Sequence, residues 1–184
     1  MESIRVKDLM VPLAEYATVS EDATLYEAVM ALEDATKGMV EDRDRHRAIL
    51  VIDRKGRVVG QVGQWDVLWG LEPRYKNIGE LRETSRYGFS PQFLRSMLGN
   101  YGLWRKPLDD LCRKAARDKV KDFMVQPGEG EFVEEDATMD TAIHLLVMGR
   151  HQSLLVTRNE SIVGILRQSD VFKVVCDHIK ACRI

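Results

Sequence analysis

The sequence lacks the features that mark membrane, secreted and nucleic-acid-binding proteins. Its apolar runs fall well short of the ~18 residues that cross a bilayer, and its first residues are too charged for a signal peptide. Its formal net charge is only −2, which leaves no bulk electrostatic field to hold a polyanion. We therefore expect a cytoplasmic protein that binds neither membranes nor nucleic acid.

Cysteines are few, and the common catalytic signatures are missing. The three cysteines, Cys112, Cys176 and Cys182, are odd in number and lack CxxC spacing, so we expect reduced thiols rather than disulfides or a zinc site. The GxxxxGK(S/T), HExxH and GxSxG signatures do not occur. The sequence therefore predicts no enzyme activity, no catalytic residues and no metal site.

The 184 residues carry an internal repeat instead. Sliding the chain against itself by 114 positions matches 13 of the 27 residues from 6 to 32, where average residue usage gives roughly two by chance. Further on the offset falls to 104, so the first copy holds about ten extra residues, which we place in the charged stretch 38–46. We predict two repeats, 5–71 and 119–178, joined by an insert at 72–118 and followed by a tail at 179–184.

Local signals give each repeat the order β-α-β-β-α. A short extended entry at 18–20 precedes Thr24-x-x-Glu27, a capping box that opens a helix. The apolar run at 48–52 and its partner at 58–62 predict a buried hairpin. The second repeat shows the same hairpin at 153–156 and 162–166, and closing helices are expected from Gln64 and Gln168.

A unit of about 60 residues is close to the size at which one core is marginal. Two such units should therefore pack together. The predicted fold class is α/β, more specifically α+β, with tandem β-α-β-β-α units forming one module and a helical insert between them.

These residues resemble a CBS domain pair, also called a Bateman module. The resemblance covers both repeats. Its carriers are Val6-Lys-Asp-Leu-Met10 with Val120-Lys-Asp-Phe-Met124, Val19-Ser-Glu-Asp-Ala-Thr24 with Val133-Glu-Glu-Asp-Ala-Thr138, the strands of Gly60 and Gly164, and the terminal Asp66 and Asp170.

The resemblance implies a regulatory module that binds AMP, ADP, ATP or adenosylmethionine as a regulatory ligand, with no obligatory cofactor. In this family a G-h-h-(S/T)-x-x-D segment supplies a hydroxyl for phosphate and a carboxylate for the ribose hydroxyls. Here Asp66 and Asp170 hold the acidic position, whereas Gly63 and Arg167 hold the hydroxyl position. We expect Arg167 to favour a phosphorylated nucleotide in the second cleft, unless it points to solvent and pairs with a surface acid.

Met10, Val11, Met124 and Val125 match the segment that lines the base pocket in the family. Each candidate has a structural alternative. The methionine and valine side chains can simply pack in the core, and an acidic residue in the first turn of a helix can serve as a cap. If these structural roles prevail, the protein is a ligand-free interaction module with degenerate nucleotide clefts.

The insert departs most from the family pattern. Ser90-Pro91 predicts the start of a helix that runs to residue 98 and stops at Gly99. Pro107 opens a second helix, whose predicted apolar stripe is Leu108, Leu111, Cys112 and Ala115. With ten Lys and Arg against six Asp and Glu, the insert could dock a partner or an anionic ligand, or serve as a helical cover over a sheet edge or a dimer face.

Two further expectations concern assembly and histidines. The stripe Val171, Val174, Val175 and Ile179 favours a homodimer, and the output is expected to reach an unknown protein partner in trans. His46 and His151 precede the central strands and are interpreted as loop residues, since neither has a partner at metal-ligand spacing. His144 and His178 are expected at the surface.

Overall fold

The computed structural model describes residues 4–36, 48–72, 74–75 and 89–182. The charged stretch with His46, and the part of the insert from 76 to 88, lie outside these residues. The strands are β1 Val11–Pro12, β2 Thr18–Ser20, β3 Ala48–Ile52, β4 Val58–Gly63, β5 Phe132–Glu134, β6 Ser153–Arg158 and β7 Ser161–Arg167. The α-helices are α1 Leu25–Thr36, α2 Gln64–Leu71, α3 Pro91–Asn100, α4 Leu108–Ala115, α5 Met139–Gly149 and α6 Gln168–Ala181.

Two sheets confirm the predicted β-α-β-β-α order of each repeat. In the first sheet β2 runs parallel to β3, which pairs antiparallel with β4. In the second sheet β5 runs parallel to β6, which pairs antiparallel with β7. The closing helices begin at Gln64 and Gln168, as the sequence predicts.

Local interactions explain why these elements form where they do. The capping box is present, since Thr24 N donates to Glu27 Oε2 at 2.7 Å and Glu27 N donates to Thr24 Oγ1 at 3.3 Å. The second hairpin turns tightly at Asn159 and Glu160, which both have positive φ. Two consecutive residues of this conformation match the twist of a hairpin.

The first residues of each repeat, here called its leading segment, pack in the core of the other repeat. Val6 is fully buried with Val133 and Met139 of the second repeat, and Val120 is fully buried among first-repeat residues such as Ile49. Each segment includes a short 3₁₀ turn, Val6–Asp8 and Val120–Asp122. The sequence repeats are therefore not the packing units, because each core is completed by a segment of the other repeat.

A third apolar cluster joins the two sheets. Its buried members are Tyr16, Leu50, Leu155 and Ile165. Fully burying a side chain of this size contributes about 1.5–3 kcal/mol. The two units therefore form one module, as the size argument predicts.

The first helix of the insert starts where the sequence predicts and ends later. Ser90 Oγ accepts from Phe93 N at 3.2 Å and caps α3. The prediction that Gly99 stops this helix is wrong, because Gly102, at φ +60, is the residue in the left-handed conformation. Leu103 N donates to Leu98 O, and Gly102 N donates to Gly99 O, which is the Schellman pattern.

The second helix of the insert, α4, covers the first repeat and packs against α2. Leu111 and Ala115 are buried, but Leu108 is 58% exposed and Cys112 is exposed. The predicted four-residue stripe is therefore only half right. Cys112 lies about 100° around the axis from Leu111, and Leu108 lies in the first turn, so only one edge of the stripe faces the protein.

A buried carboxylate at the first residue of the insert joins the end of α2 to later residues of the insert. Glu72, at the end of α2, is 2% exposed, and its Oε2 accepts from Trp104 N at 2.8 Å. Its Oε1 accepts from Arg74 N at 3.2 Å. The ring of Tyr75 stacks on Trp69 at 4.8 Å, and its hydroxyl accepts from Trp104 Nε1 at 3.0 Å. The insert is thus anchored by polar and aromatic contacts together.

Candidate functional site

The glycines of β4 and β7 let the leading segments lie directly on the sheets. A Cβ atom on Gly164 would lie 2.6 Å from Val11 O and 3.0 Å from Met10 Sδ. A Cβ atom on Gly60 would lie 2.8 Å from Met124 Sδ and 2.9 Å from Val125 O. No other residue type fits so close an approach. The glycines therefore fix where these methionines and valines sit.

The candidate residues come together crosswise between the repeats. Val125 exchanges two backbone hydrogen bonds with Gln61 of β4, at 2.9 and 3.0 Å. Val11 pairs with Ile165 of β7. The structure therefore forms two groups, in which each leading segment lies beside the strand of the other repeat. We define the first candidate site as Gly63, Asp66, Met124 and Val125, and the second as Met10, Val11, Arg167 and Asp170.

In the first candidate site the acidic residue caps its own helix. Gly63 ends β4 and is the N-cap of α2. Asp66 is 7% exposed, and its Oδ2 accepts from Gly63 N at 2.8 Å. A carboxylate here also faces the positive end of the helix dipole. The capping role, which the sequence left open as an alternative for this residue, is therefore present.

In the second candidate site the acidic residue is held by an arginine. Arg167 ends β7 and is the N-cap of α6, and Asp170 has the position that Asp66 has in α2. Arg167 Nε donates to Asp170 Oδ2 at 2.6 Å, and Arg167 Nη2 donates to Asp170 Oδ1 at 2.7 Å. Both side chains are only 16% exposed. Arg167 therefore pairs with the acidic residue of its own site.

Tyr16 lies near this pair and was missed by the sequence analysis. The residue is 6% exposed between the sheets, and its hydroxyl donates to Ala48 O at 3.0 Å. Burial raises the pKa of Tyr16 to about 12, while the charge of Arg167 lowers this pKa and that of Asp170 raises it. The signal available was a break in the repeat, since the equivalent position is Gly130.

The three histidines in the described part of the chain lie in a loop and on two helices. His151 is in a loop, as expected, with Nδ1 3.5 Å from Glu131 Oε1. His144 and His178 are exposed on helices. Within the described ranges, no three His, Cys, Asp or Glu side chains come together as metal ligands would.

None of the helices in the described part of the chain combines the length and apolarity that crossing a membrane requires.

The three cysteines are free: Cys112 and Cys182 are exposed and Cys176 is half-buried. These thiols form no disulfide in the described part of the chain.

Comparison with known proteins gives a family and a fold. A family model described as CBS domain matches residues 6–72 and 120–177. No curated protein matches the sequence. A CBS domain-containing protein from Bacillus anthracis str. Ames Ancestor is 16% identical over 96% of this chain and 95% of its own, with a TM-score of 0.64.

Two further solved structures share the arrangement. CBSX2, whose structure is a complex with AMP, is 17% identical over 96% of this chain and 99% of its own, with a TM-score of 0.58. A CBS domain-containing protein from Kribbella flavida DSM 17836 is 19% identical over 94% of this chain and 98% of its own, with a TM-score of 0.57. At these identities the likeness shows the fold.

Proposed function

The chain belongs to the CBS domain family and carries two copies of that domain, and from this premise we propose that it binds an adenine nucleotide or adenosyl-type metabolite and signals to a partner in trans. The family is known for binding such ligands and for regulation. One structural neighbour, CBSX2, was solved in complex with AMP. The proposal carries that class of ligand over to this chain.

One observation supports the proposal more than any other: the same juxtaposition occurs twice. In each candidate site an apolar methionine segment lies on a glycine strand that leads directly into an acidic helix start. Backbone N–H groups at a helix start suit a phosphate. A carboxylate can accept hydrogen bonds from two neighbouring sugar hydroxyls, and apolar side chains suit the faces of a base.

The proposal gives each site residue a role. Asp66 and Asp170 would accept from ribose hydroxyls, while Gly63 and Arg167 would face the phosphate. The base would be lined by Met124 and Val125 in the first candidate site and by Met10 and Val11 in the second. The protein has no catalytic part in this proposal, and it acts in the cytoplasm, where free thiols persist.

Regulation requires that the ligand favour one arrangement of the protein over another. The candidate sites join the two repeats, because each draws residues from both. A ligand that contacts both a leading segment and a helix start would change the relative stability of their arrangements. We propose that a partner protein detects this difference.

We further propose that two copies form a homodimer. The stripe named from the sequence is only partly available for this, because Val171 is 4% exposed and lies in the second core. Large apolar side chains are exposed along the closing helices: Trp65 and Leu68 on α2, and Phe172 and the stripe residue Ile179 on α6. Leu68 and Phe172 are equivalent positions of the two repeats, so a two-fold partner would meet a similar face in each.

Light scattering tests the dimer. Twice the 21.0 kDa chain mass is expected for the wild type, and Phe172→Glu combined with Leu68→Glu should give the chain mass. Leu98→Glu, at an apolar residue that is 47% exposed on α3, is the control and should leave the mass doubled. A wild-type protein that stays at the chain mass over a dilution series contradicts the dimer.

Thermal unfolding with added ligands tests the binding function. AMP, ADP, ATP, adenosylmethionine and NADH are compared, and a ligand at ~100 times its dissociation constant should stabilise the fold by ~2.7 kcal/mol. Asp66→Asn and Asp170→Asn should each reduce the effect of a ligand bound at its own site. Glu160→Gln, in the exposed hairpin turn, is the matched acidic control.

The ligand-free interaction module remains the second candidate, and a specific observation favours it. Both acidic residues already have protein partners, Gly63 N for Asp66 and the guanidinium for Asp170. Melting curves that do not respond to any of the five compounds would support this second candidate and contradict the first.

A further inference from the structure

The two candidate sites differ most at one position, the residue that ends the glycine strand. In the first site this residue is Gly63, which has no side chain, and Asp66 accepts from its backbone. In the second site it is Arg167, whose guanidinium occupies both oxygens of Asp170. The same helix start is therefore built with two different partners for its acidic residue.

The Arg167 pair is of the strong kind. It is bidentate, with N···O distances of 2.6 and 2.7 Å, and both side chains are largely shielded from water. Charge-assisted bidentate pairs are roughly twice as strong as neutral hydrogen bonds, and shielding from water strengthens their attraction. The nearby Tyr16 side chain is only 6% exposed and packs with Ile165 of β7, so the pair borders a buried part of the protein.

This geometry sets up a competition for Asp170. Two neighbouring ribose hydroxyls would need the same carboxylate oxygens that Arg167 now occupies. A neutral nucleoside carries no anionic group that could replace the carboxylate as the ionic partner of the guanidinium, so it would have to break the pair without an equivalent charge-assisted bond. A phosphate group brings oxygens that match the guanidinium fork, so it can draw Arg167 towards itself as the sugar takes its place on Asp170.

We propose that Arg167 is a specificity-determining residue, which covers Asp170 until an anionic phosphate is bound and so restricts the second candidate site to phosphorylated nucleosides. Adenosine, which carries no phosphate, is disfavoured at this site by the same arginine. The first candidate site, with Gly63 at this position, lacks that restriction. The inference rests on the proposed function, since it assigns the ligand class of a site that function requires.

Calorimetry with AMP and adenosine on the full chain tests the proposal. Wild-type protein should bind AMP at the second site and bind adenosine there more weakly. In Arg167→Ala the ratio of AMP affinity to adenosine affinity should fall by at least about tenfold, or ~1.4 kcal/mol, with adenosine affinity itself rising. Arg167→Gln preserves most of the side-chain volume and should show the same change, provided that circular dichroism shows both variants folded.

Two further variants assign the effect to this pair. The gain in adenosine affinity should disappear in Arg167→Ala combined with Asp170→Asn, because the gain requires a free carboxylate at Asp170. Arg158→Ala is the matched control. Arg158 also donates two hydrogen bonds to a carboxylate, that of Glu135, but lies at the far end of the second hairpin, so its removal should leave the AMP-to-adenosine ratio unchanged.

The outcomes distinguish a failure of the role proposed for Arg167 from a failure of the proposed nucleotide-binding function. If AMP and adenosine bind but their affinity ratio is the same in wild type, Arg167→Ala and Arg167→Gln, the proposal for Arg167 is wrong and the proposed function stands. If neither compound binds to the wild type or to either variant, the nucleotide-binding function is wrong, and the role of Arg167 is overturned with it.

Discussion

Val6 N donates to Ala137 O at 3.0 Å, and 114 positions later Val120 N donates to Ala23 O at 2.8 Å. Each bond crosses from the leading segment of one repeat to the helix entry of the other. Lys7 continues the pattern, with Nζ 2.7 Å from Asp136 Oδ1. The two repeats are therefore held together by a reciprocal exchange, and neither core is complete without the other's first residues.

The exchange predicts that a change in one repeat destabilises the core of the other. Val6→Ala removes two methyl groups from a fully buried side chain in the second core, so unfolding free energy should fall by about 2 kcal/mol. Urea denaturation measures the change. Val120→Ala should cost a similar amount in the first core, and Val147→Ala, at a residue that is 66% exposed on α5, should cost almost nothing.

Amide hydrogen exchange tests whether Val6 packs in the core of the second repeat or in the core of its own repeat. In Val6→Ala the amides of β6 should lose more protection than those of β3 if opening is local. Greater loss in β3 would mean that Val6 supports the first core and would contradict the exchange.

Gly164→Ala should weaken the attachment of the N-terminal segment to β7. The added methyl group would lie 2.6 Å from Val11 O, and because the obstacle is backbone, the segment has to move. Such overpacking costs about 1–3 kcal/mol, measured by denaturant unfolding. The matched control is Gly99→Ala, inside α3 with open space around the new Cβ, which should be neutral or stabilise by about 0.5–1 kcal/mol. Equal effects of both substitutions would contradict the close approach at Gly164.

Tyr16 predicts a loss of stability in alkali. Burial raises the pKa of its phenol to about 12, whereas the unfolded chain has a value near 10. The stabilisation that the buried, neutral phenol contributes is therefore complete below about pH 10 and is lost as the pH rises towards 12. The stability advantage of wild type over Tyr16→Phe should shrink by about 1.4 kcal/mol between pH 8 and 11, measured by urea denaturation. Tyr26→Phe, at a 61% exposed residue, is the exposed control, and an advantage of wild type over Tyr16→Phe that does not change with pH contradicts the shift.

Glu72 predicts how firmly the insert is attached. Glu72→Ala would leave the backbone N–H groups of Trp104 and Arg74 without their carboxylate partner, which costs about 1–3 kcal/mol for buried groups. Limited proteolysis should then cut faster within residues 100–107. Glu72→Gln keeps an acceptor oxygen, so its cleavage rate should fall between those of wild type and Glu72→Ala. An unchanged cleavage rate in Glu72→Ala would mean that other contacts hold the insert.

The positions of most elements follow from short-range signals. Thr24 and Glu27 form the capping box that their spacing predicts, and both closing helices start at the predicted glutamine. Insert helix α3 shows the limit of such signals, because Gly99 and Gly102 are both good stop residues. Met97 and Leu103 pack together with Tyr75, and this tertiary contact favours a helix that ends at Asn100 with its Schellman turn at Gly102 over a stop at Gly99.

The sequence by itself determined the repeat, the order of its elements, the family and the candidate residues, because these depend on spacing within a few residues or on identities at a fixed offset. Only the tertiary structure decided how those residues are grouped. Val11 pairs with Ile165 across more than 150 residues of chain, and no local pattern shows which repeat a leading segment will join. The sequence alone does not show which acidic residue pairs with Arg167. The pairing with Asp170 depends on the strand and the helix that hold both side chains largely out of water.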